Sequence, residues 1–292
     1  MPVNVQLELP LNDIFTIPRH GLNRVTAITI IGFHVGAIAA LYFISWKLVA
    51  ITAVLYWMCT GLGISLGYHR LHTHRSYVVP QPLEFFFALC GALTLEGGPI
   101  TWVATHRIHH QNSDKPGDPH SPHDGAWWSH VGWLIWGETM HNNTRVMSRY
   151  TPDLARHRFY IVLNNYHWVP LVLMGAILYA IGGLPLFMWG IFVRVVFGWH
   201  ATWLVNSATH LWGRRRFDTR DDSRNNWWVA MITFGEGWHN NHHAHPTSAR
   251  HGLAWYEFDV SWITLKLLRF FGIARNIRVA KVTTEMAERE AA

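Results

Sequence analysis

The sequence predicts an all-α integral membrane protein: four transmembrane helices in two hairpins, with a helical cytoplasmic part carrying clusters of histidine. Three observations predict it. Half of the 292 residues are hydrophobic and only 14% are charged, where a soluble globular chain has roughly a quarter charged. Four stretches are long enough, and free enough of charge, to cross a bilayer. The 21 histidines gather at the ends of those stretches and in the segments between them.

The spans follow in order. Val25 to Trp46 and Leu48 to Tyr68 contain no Asp, Glu, Lys or Arg, and each exceeds the ~20 residues that a crossing helix needs. The turn between them lies at Lys47. Phe159 to Val193 is also free of these residues, and Val195 to Gly213 continues it after Arg194. Gly182-Gly183-Leu184-Pro185 favours a turn and divides this stretch. The predicted spans are therefore 25–46, 48–68, 160–182 and 185–212, with cytoplasmic segments 69–158 and 213–292, all within one domain, 1–292.

Charge orients this arrangement. Four spans put both termini and the long central segment on one side. Of the 24 Lys and Arg, all but Lys47 and Arg194 fall there, which marks that side as cytoplasmic. A multi-pass protein of a bacterial inner membrane is expected, with its histidine clusters and both termini in the cytoplasm. The net charge of +6 sits between apolar spans, so a lipid surface is the expected partner and nucleic acid is not. Cys59 and Cys90 lie in apolar stretches and imply no disulfide framework. The first twenty residues show no signal-peptide pattern.

Two apolar pieces are not spans. Phe85 to Leu95 is too short to cross and reads as an interfacial or buried helix. Trp262, Ile263, Leu267, Phe270 and Phe271 alternate with Lys266 and Arg269 at helical spacing, as in an amphipathic helix that lies on a membrane surface or packs against the cytoplasmic part. The tail from Lys281 is polar.

The chemistry resides in four histidine clusters. The first, His69-Arg70-Leu71-His72-Thr73-His74, ends span two. The second, His106-Arg107-Ile108-His109-His110, lies in the central segment. Asn206 and His210 stand one helical turn apart at the end of span four, and His239-Asn240-Asn241-His242-His243 follows. Positions i, i+3 and i+4 share a helix face, so His106, His109 and His110 can point at one site, as can His239, His242 and His243. His69 and His74 are five apart, so their helix must end or distort for both to converge. All four clusters fall on one side of the membrane. Neutral imidazole suits iron, copper, zinc or nickel. Nine imidazoles (His69, His74, His106, His109, His110, His210, His239, His242, His243) exceed what one tetrahedral or octahedral ion takes, which points to two metals. Asn206 suits a metal-bound water.

At these residues the sequence resembles the membrane fatty-acid desaturases of the delta-9, stearoyl-CoA-desaturase-like family, from roughly Asn23 to Phe271. The motifs are Gly67-Tyr68-His69-Arg70 with His74-Arg75, the second cluster, Thr202-Trp203-Leu204-Val205-Asn206-Ser207-Ala208-Thr209-His210, and Gly235-Glu236-Gly237-Trp238 leading into the fourth cluster. Asp118-Pro119-His120 and Trp127-Trp128-Ser129-His130-Val131-Gly132-Trp133 also look like this family. The resemblance implies two iron ions on the nine histidines, with oxygen as co-substrate. It implies a cis double bond formed in a saturated fatty acyl chain, by family default at carbon 9. Electrons would come from a separate carrier (ferredoxin, rubredoxin or a cytochrome b5) docking on the basic cytoplasmic face, since no haem, flavin or nicotinamide segment is evident. An apolar tunnel would present the acyl chain, with Trp102, Trp199 and Trp203 as candidate walls. Animal acyl-CoA members carry an Arg-Asp pair before the second cluster; this chain has Ala104-Thr105, similar to bacterial and plastid members that act on glycerolipids. The acyl carrier, CoA or glycerolipid, stays open.

Two other functions fit parts of the pattern: a di-iron lipid or carotenoid hydroxylase, and a metal transporter, which would need ligands near the bilayer midplane. Among lesser signals, His72 is not a ligand position of the family. His120, His123, His130, His141 and His245 read as supporting or surface groups. Asp114 and Glu236 are expected to accept hydrogen bonds from ligand imidazoles. Gly61, Gly63 and Gly67 suggest close helix packing. Arg194 is either functional or snorkels to the outer surface. Arg214, Arg215 and Arg216 either attract phosphate head groups or set topology.

Overall fold

The structure, a computed structural model, describes residues 21–137 and 144–281; His141, the first twenty residues and the tail beyond Lys281 lie outside them. Those residues form helices and loops, with three isolated bridges in place of any strand.

Helix α1 (Arg24–Ala40) opens where the Asn23 side chain accepts from the Thr26 amide at 3.1 Å, satisfying an amide that the first turn leaves free. It ends in a 3₁₀ turn, Leu41–Phe43. Ser45 caps α2 (Trp46–Tyr56) in the same way. That helix then widens into a π-helix, Trp57–Thr73. The wide turn resolves the five-residue spacing of the first cluster. The His74 amide donates to the His69 carbonyl at 3.1 Å, the i→i+5 bond of a π-turn, so the two rings stand one turn apart, 4.9 Å between centroids.

Helix α3 (Gln81–Ala92) lies along this wide helix. The sequence glycines explain the closeness: a Cβ on Gly63 would meet the Gly91 nitrogen at 2.3 Å. Phe87, Ala88, Cys90 and Gly91 face inward while Phe86 and Leu89 stay exposed, as a half-buried helix requires. Helix α4 (Pro99–Asn112) carries the second cluster. A π-turn (Trp128–Gly132) and the short helices α5 (Trp133–Trp136), α6 (Thr144–Tyr150) and α7 (Pro152–Ala155) follow.

The predicted span beginning at 160 needs correction. Arg158–Asn165 is a separate helix, α8, whose Asn164 side chain accepts from the Thr101 amide at the start of α4 at 2.9 Å. The polar run Asn164-Asn165-Tyr166-His167 breaks the chain before α9 (Val169–Met188). From there a π-turn, Trp189–Val193, leads into α10 (Arg194–Leu211). Among the described residues three helices are long and apolar enough to cross a membrane: Arg24–Phe43, Trp46–Thr73 and Val169–Leu211.

The last of these has 43 residues, about 65 Å as a straight helix and roughly twice a bilayer core. It is not straight. Gly183 has φ 62° and ψ −161°, a conformation nearly confined to glycine. Beyond it Phe187 packs against Gly175, 3.1 Å from where a Cβ would stand; along one helix that pair would be about 18 Å apart. The chain therefore doubles back at Gly183.

Arg194 does not snorkel outward. It is buried, donating from Nε to the Gly190 carbonyl at 2.7 Å and from Nη2 to the Leu93 carbonyl at 3.0 Å, just past α3. A cation at a helix C-terminus is favoured by the helix dipole. Helices α11 (Trp227–Ile232), α12 (His239–Ala244) and α13 (Val260–Phe270) complete the fold. Helix α13 buries Leu265 against the cluster that includes Leu66 and Leu71 and exposes Ile263, Leu267 and Phe270, so it is amphipathic and packs on the wide helix. Arg215 pairs with Asp218 and Asp222, and Arg216 with Glu257.

Candidate metal centre

The nine histidines converge from four elements into two groups. The wide helix, α4 and α12 bring His69, His74, His106, His110 and His242 together, and α4, α10 and α12 bring His109, His210, His239 and His243 together. Within each group the ligating atoms lie within 4.8 Å of one another. One face of α4 thus serves both groups, and so does one face of α12. His72 belongs to neither; its ring meets Tyr160 edge-on at 5.2 Å.

Carboxylates fix the rings. His69 Nδ1 lies 2.5 Å from Glu236, His109 Nδ1 2.9 Å from Asp118, His210 Nδ1 3.0 Å from Asp114 and His243 Nδ1 2.9 Å from Asp221. Each Nδ1–H donates to its carboxylate, which leaves Nε2 unprotonated with its lone pair aimed inward; that of His109 lies 3.3 Å from the Ser113 hydroxyl. Asp114 adopts φ 58°, a strained conformation for a non-glycine residue. Glu236 is held by Arg70, which also pairs with Asp259 at 3.0 Å. Burial opposes it, yet His69 and Arg70 keep the Glu236 carboxylate well below its usual range.

The donor set fits metal ions. His69 and His242 approach Nε2 to Nε2 at 3.0 Å, His242 and His110 at 2.9 Å, His110 and His106 at 3.0 Å, and His210 and His239 at 3.1 Å. Two nitrogens bound at right angles to one ion, each ~2.1 Å away, stand about 3.0 Å apart. Lone pairs facing one another at this distance repel unless a cation lies between them. The Nε2 atoms of His74 and His243 are buried without a hydrogen-bond partner, a rare condition that a metal bond would relieve. Burial, joined by neighbouring imidazoles, holds His74, His106, His110, His239 and His242 well below the usual histidine range. Neutral rings are what a metal binds.

Two cavities flank the groups. One, of about 560 Å³, has Trp102, His106, Trp199, Trp203, Asn206 and Glu96 in its walls, so the three tryptophans and the asparagine singled out in the sequence share it. The other, of about 750 Å³, is polar and reaches His74, His110 and His243 past Lys115 and Arg220. Glu96 was not predicted. Its carboxylate accepts from Thr202 at 3.1 Å and Trp102 at 3.4 Å, and burial pushes its pKa up to about 8. His251 was missed as well: it is buried, 3.2 Å from the Glu236 carboxylate, with its ring 4.5 Å from that of His242. His120, expected in a supporting or surface role, packs its ring tilted against that of His109, 4.4 Å between centroids.

Comparison with known proteins places the chain in a family. The fatty acid desaturase family model matches residues 44–260. The chain belongs to the fatty acid desaturase family. It is 48% identical over 271 residues to the sn-1 stearoyl-lipid 9-desaturase of Anabaena variabilis, covering 91% of this chain and 98% of the relative. It is 45% identical over 246 residues to the sn-2 palmitoyl-lipid 9-desaturase of Nostoc sp. (strain 36), covering 84% and 86%. An acyl-CoA 5-desaturase of Anemone leveillei is 44% identical over 250 residues, covering 85% and 77%. As a desaturase the chain is an oxidoreductase of fatty acyl chains, which sets the hydroxylase and transporter readings aside.

Proposed function

We propose that this chain forms a cis double bond at carbon 9 of a saturated acyl chain esterified in membrane glycerolipid, using two iron ions. The observation that carries the reading is that an apolar cavity ends on His106 and Asn206, beside two groups of converging imidazole lone pairs. His69, His74, His106, His110 and His242 would hold one iron; His109, His210, His239 and His243 would hold the other, with Asn206 acting through a water. Bound there, the irons supply oxygen activation and the abstraction of hydrogen from two adjacent methylenes. The protein's own task is placement: Trp102, Trp199 and Trp203 would confine the chain, and the four carboxylates hold the imidazoles in register.

Two of the three relatives above act, by name, on lipid-bound acyl chains at position 9, and one on acyl-CoA at position 5. The 48% identity to the sn-1 stearoyl-lipid enzyme over 98% of its length, together with Ala104-Thr105 in place of an Arg-Asp pair, favours glycerolipid. The reversal at Gly183 supports four crossings, with both termini and the histidine groups on the cytoplasmic side of a bacterial inner membrane. A ferredoxin, rubredoxin or cytochrome b5-type carrier would deliver electrons at the polar cavity, where His74, His110 and His243 come nearest to Lys115 and Arg220.

Expression in a desaturase-deficient host, followed by mass spectrometry of intact lipids with double-bond location, tests the proposal. The expected product is a 9-monounsaturated glycerolipid, absent with His106→Ala. A hydroxylated lipid without an alkene, or unchanged lipids with iron-loaded protein and a working donor, would contradict it.

A further inference from the structure

The apolar cavity has a distinctive mouth. Among its described walls only Val25 and Trp168 are exposed, at 77% and 50%; the rest are buried or half-buried. Val25 lies in the first turn of α1, inside the first candidate span, and its neighbour on the same face, Ile28, is 70% exposed. Trp168 immediately precedes α9, the start of the third candidate span, beside exposed Tyr166. Tryptophan and tyrosine at the ends of apolar helices mark the lipid–water interface. The cavity therefore opens sideways, at interface depth, between the beginnings of two helices that face lipid.

The wall chemistry selects an occupant. No lysine or arginine stands among the cavity's described walls, so nothing in them matches the phosphates of a CoA carrier. The polar cavity on the far side of the histidines, by contrast, has Arg107, Lys115 and Arg220 in its walls. The polar groups in the walls at the mouth are Thr26 and His167, with the exposed Arg24 next to Val25 in the chain, and burial pulls the His167 pKa below its ordinary value. Neutral polar groups beside an interfacial tryptophan suit an ester and glycerol backbone.

We infer that the acyl chain enters laterally from the bilayer, between Val25 of α1 and Trp168, while still esterified to its glycerolipid. This rests on the glycerolipid desaturase reading above and adds the route by which the substrate arrives.

The test uses the full iron-loaded chain in phosphatidylethanolamine–phosphatidylglycerol vesicles whose phosphatidylglycerol carries a diazirine at mid-chain. On photolysis the wild type should be labelled in the peptides containing Trp102 and Thr202. Val25→Trp and Thr26→Trp, which plug the mouth, should lower that labelling and glycerolipid desaturation together by about tenfold or more. Ile28→Trp, on the lipid side of the same turn and outside the cavity wall, should leave both unchanged. Unaltered cavity labelling in both plugged variants overturns the lateral route. If the wild-type cavity is labelled by a diazirine acyl-CoA and not by the lipid probe, the glycerolipid reading itself fails, and the lateral inference falls with it.

Discussion

Each carboxylate around the histidines acts on one imidazole, and the expected consequences are local. Asp118 holds His109 at 2.9 Å. Burial works against its charge, but His109 and His120 keep it ionised. Asp118→Asn should weaken metal binding by about tenfold to a hundredfold, read as faster iron loss to a chelator, with the helical content unchanged. Glu96 behaves oppositely, since burial raises its pKa from 4.5 to about 8. The folded protein therefore binds a proton that the unfolded chain has released between those values. The stability this gives is fully present below about pH 4.5 and is lost as pH rises towards 8. Glu96→Gln should flatten that part of the pH profile of thermal unfolding in detergent, and should keep desaturation at high pH where the wild type declines. An unchanged profile in the variant would remove Glu96 as the titrating group. His106, His109, His110, His239, His242 and His243 were legible because helical spacing is a local property. Asp221, 22 positions before His243, and His251, packed against a carboxylate 15 positions earlier, carry no such periodic signal, and only the fold brings them in.

Helix contacts explain where sequence and structure agree and where they part. Gly63 and Gly67 read correctly as close packing, since α3 lies against them, while Gly61 faces Trp57 and Phe234. Gly63→Ala would push a Cβ to 2.3 Å from the Gly91 nitrogen; because backbone cannot swing aside, a loss of about 1–3 kcal/mol is expected. Gly32→Ala, with nothing within 4 Å, should be neutral or slightly stabilising, and equal melting temperatures for the two variants would refute this account of the contact. A second feature was invisible to periodicity. His34 of α1 meets His200 of α10 at 3.0 Å, His200 meets His130 at 3.0 Å, and His130 meets Ser207 at 3.1 Å. This hydrogen-bonded string ties α1, α10 and the π-turn before α5 together. His200→Ala should cost about 0.6–2 kcal/mol, measured as a lower unfolding midpoint. The span boundary at 160 failed because charge-free sequence does not reveal a helix break made by Asn, Tyr and His. The widening of the helix around His69 and His74 was legible only as a need to distort.

At the scale of the whole molecule, apolar helices, a sideways-opening cavity, two histidine groups and a polar cavity follow one another. Lipid substrate and aqueous electron carrier would approach the metals from different sides. That order depends on both histidine groups being occupied, so counting metals tests the central claim most directly. Protein purified from an iron-supplemented host should contain two irons per chain, with His106→Ala and His239→Ala each losing the ion of its own group. A single iron per chain in the active wild type, or a full complement of zinc in protein that still desaturates, would contradict the account.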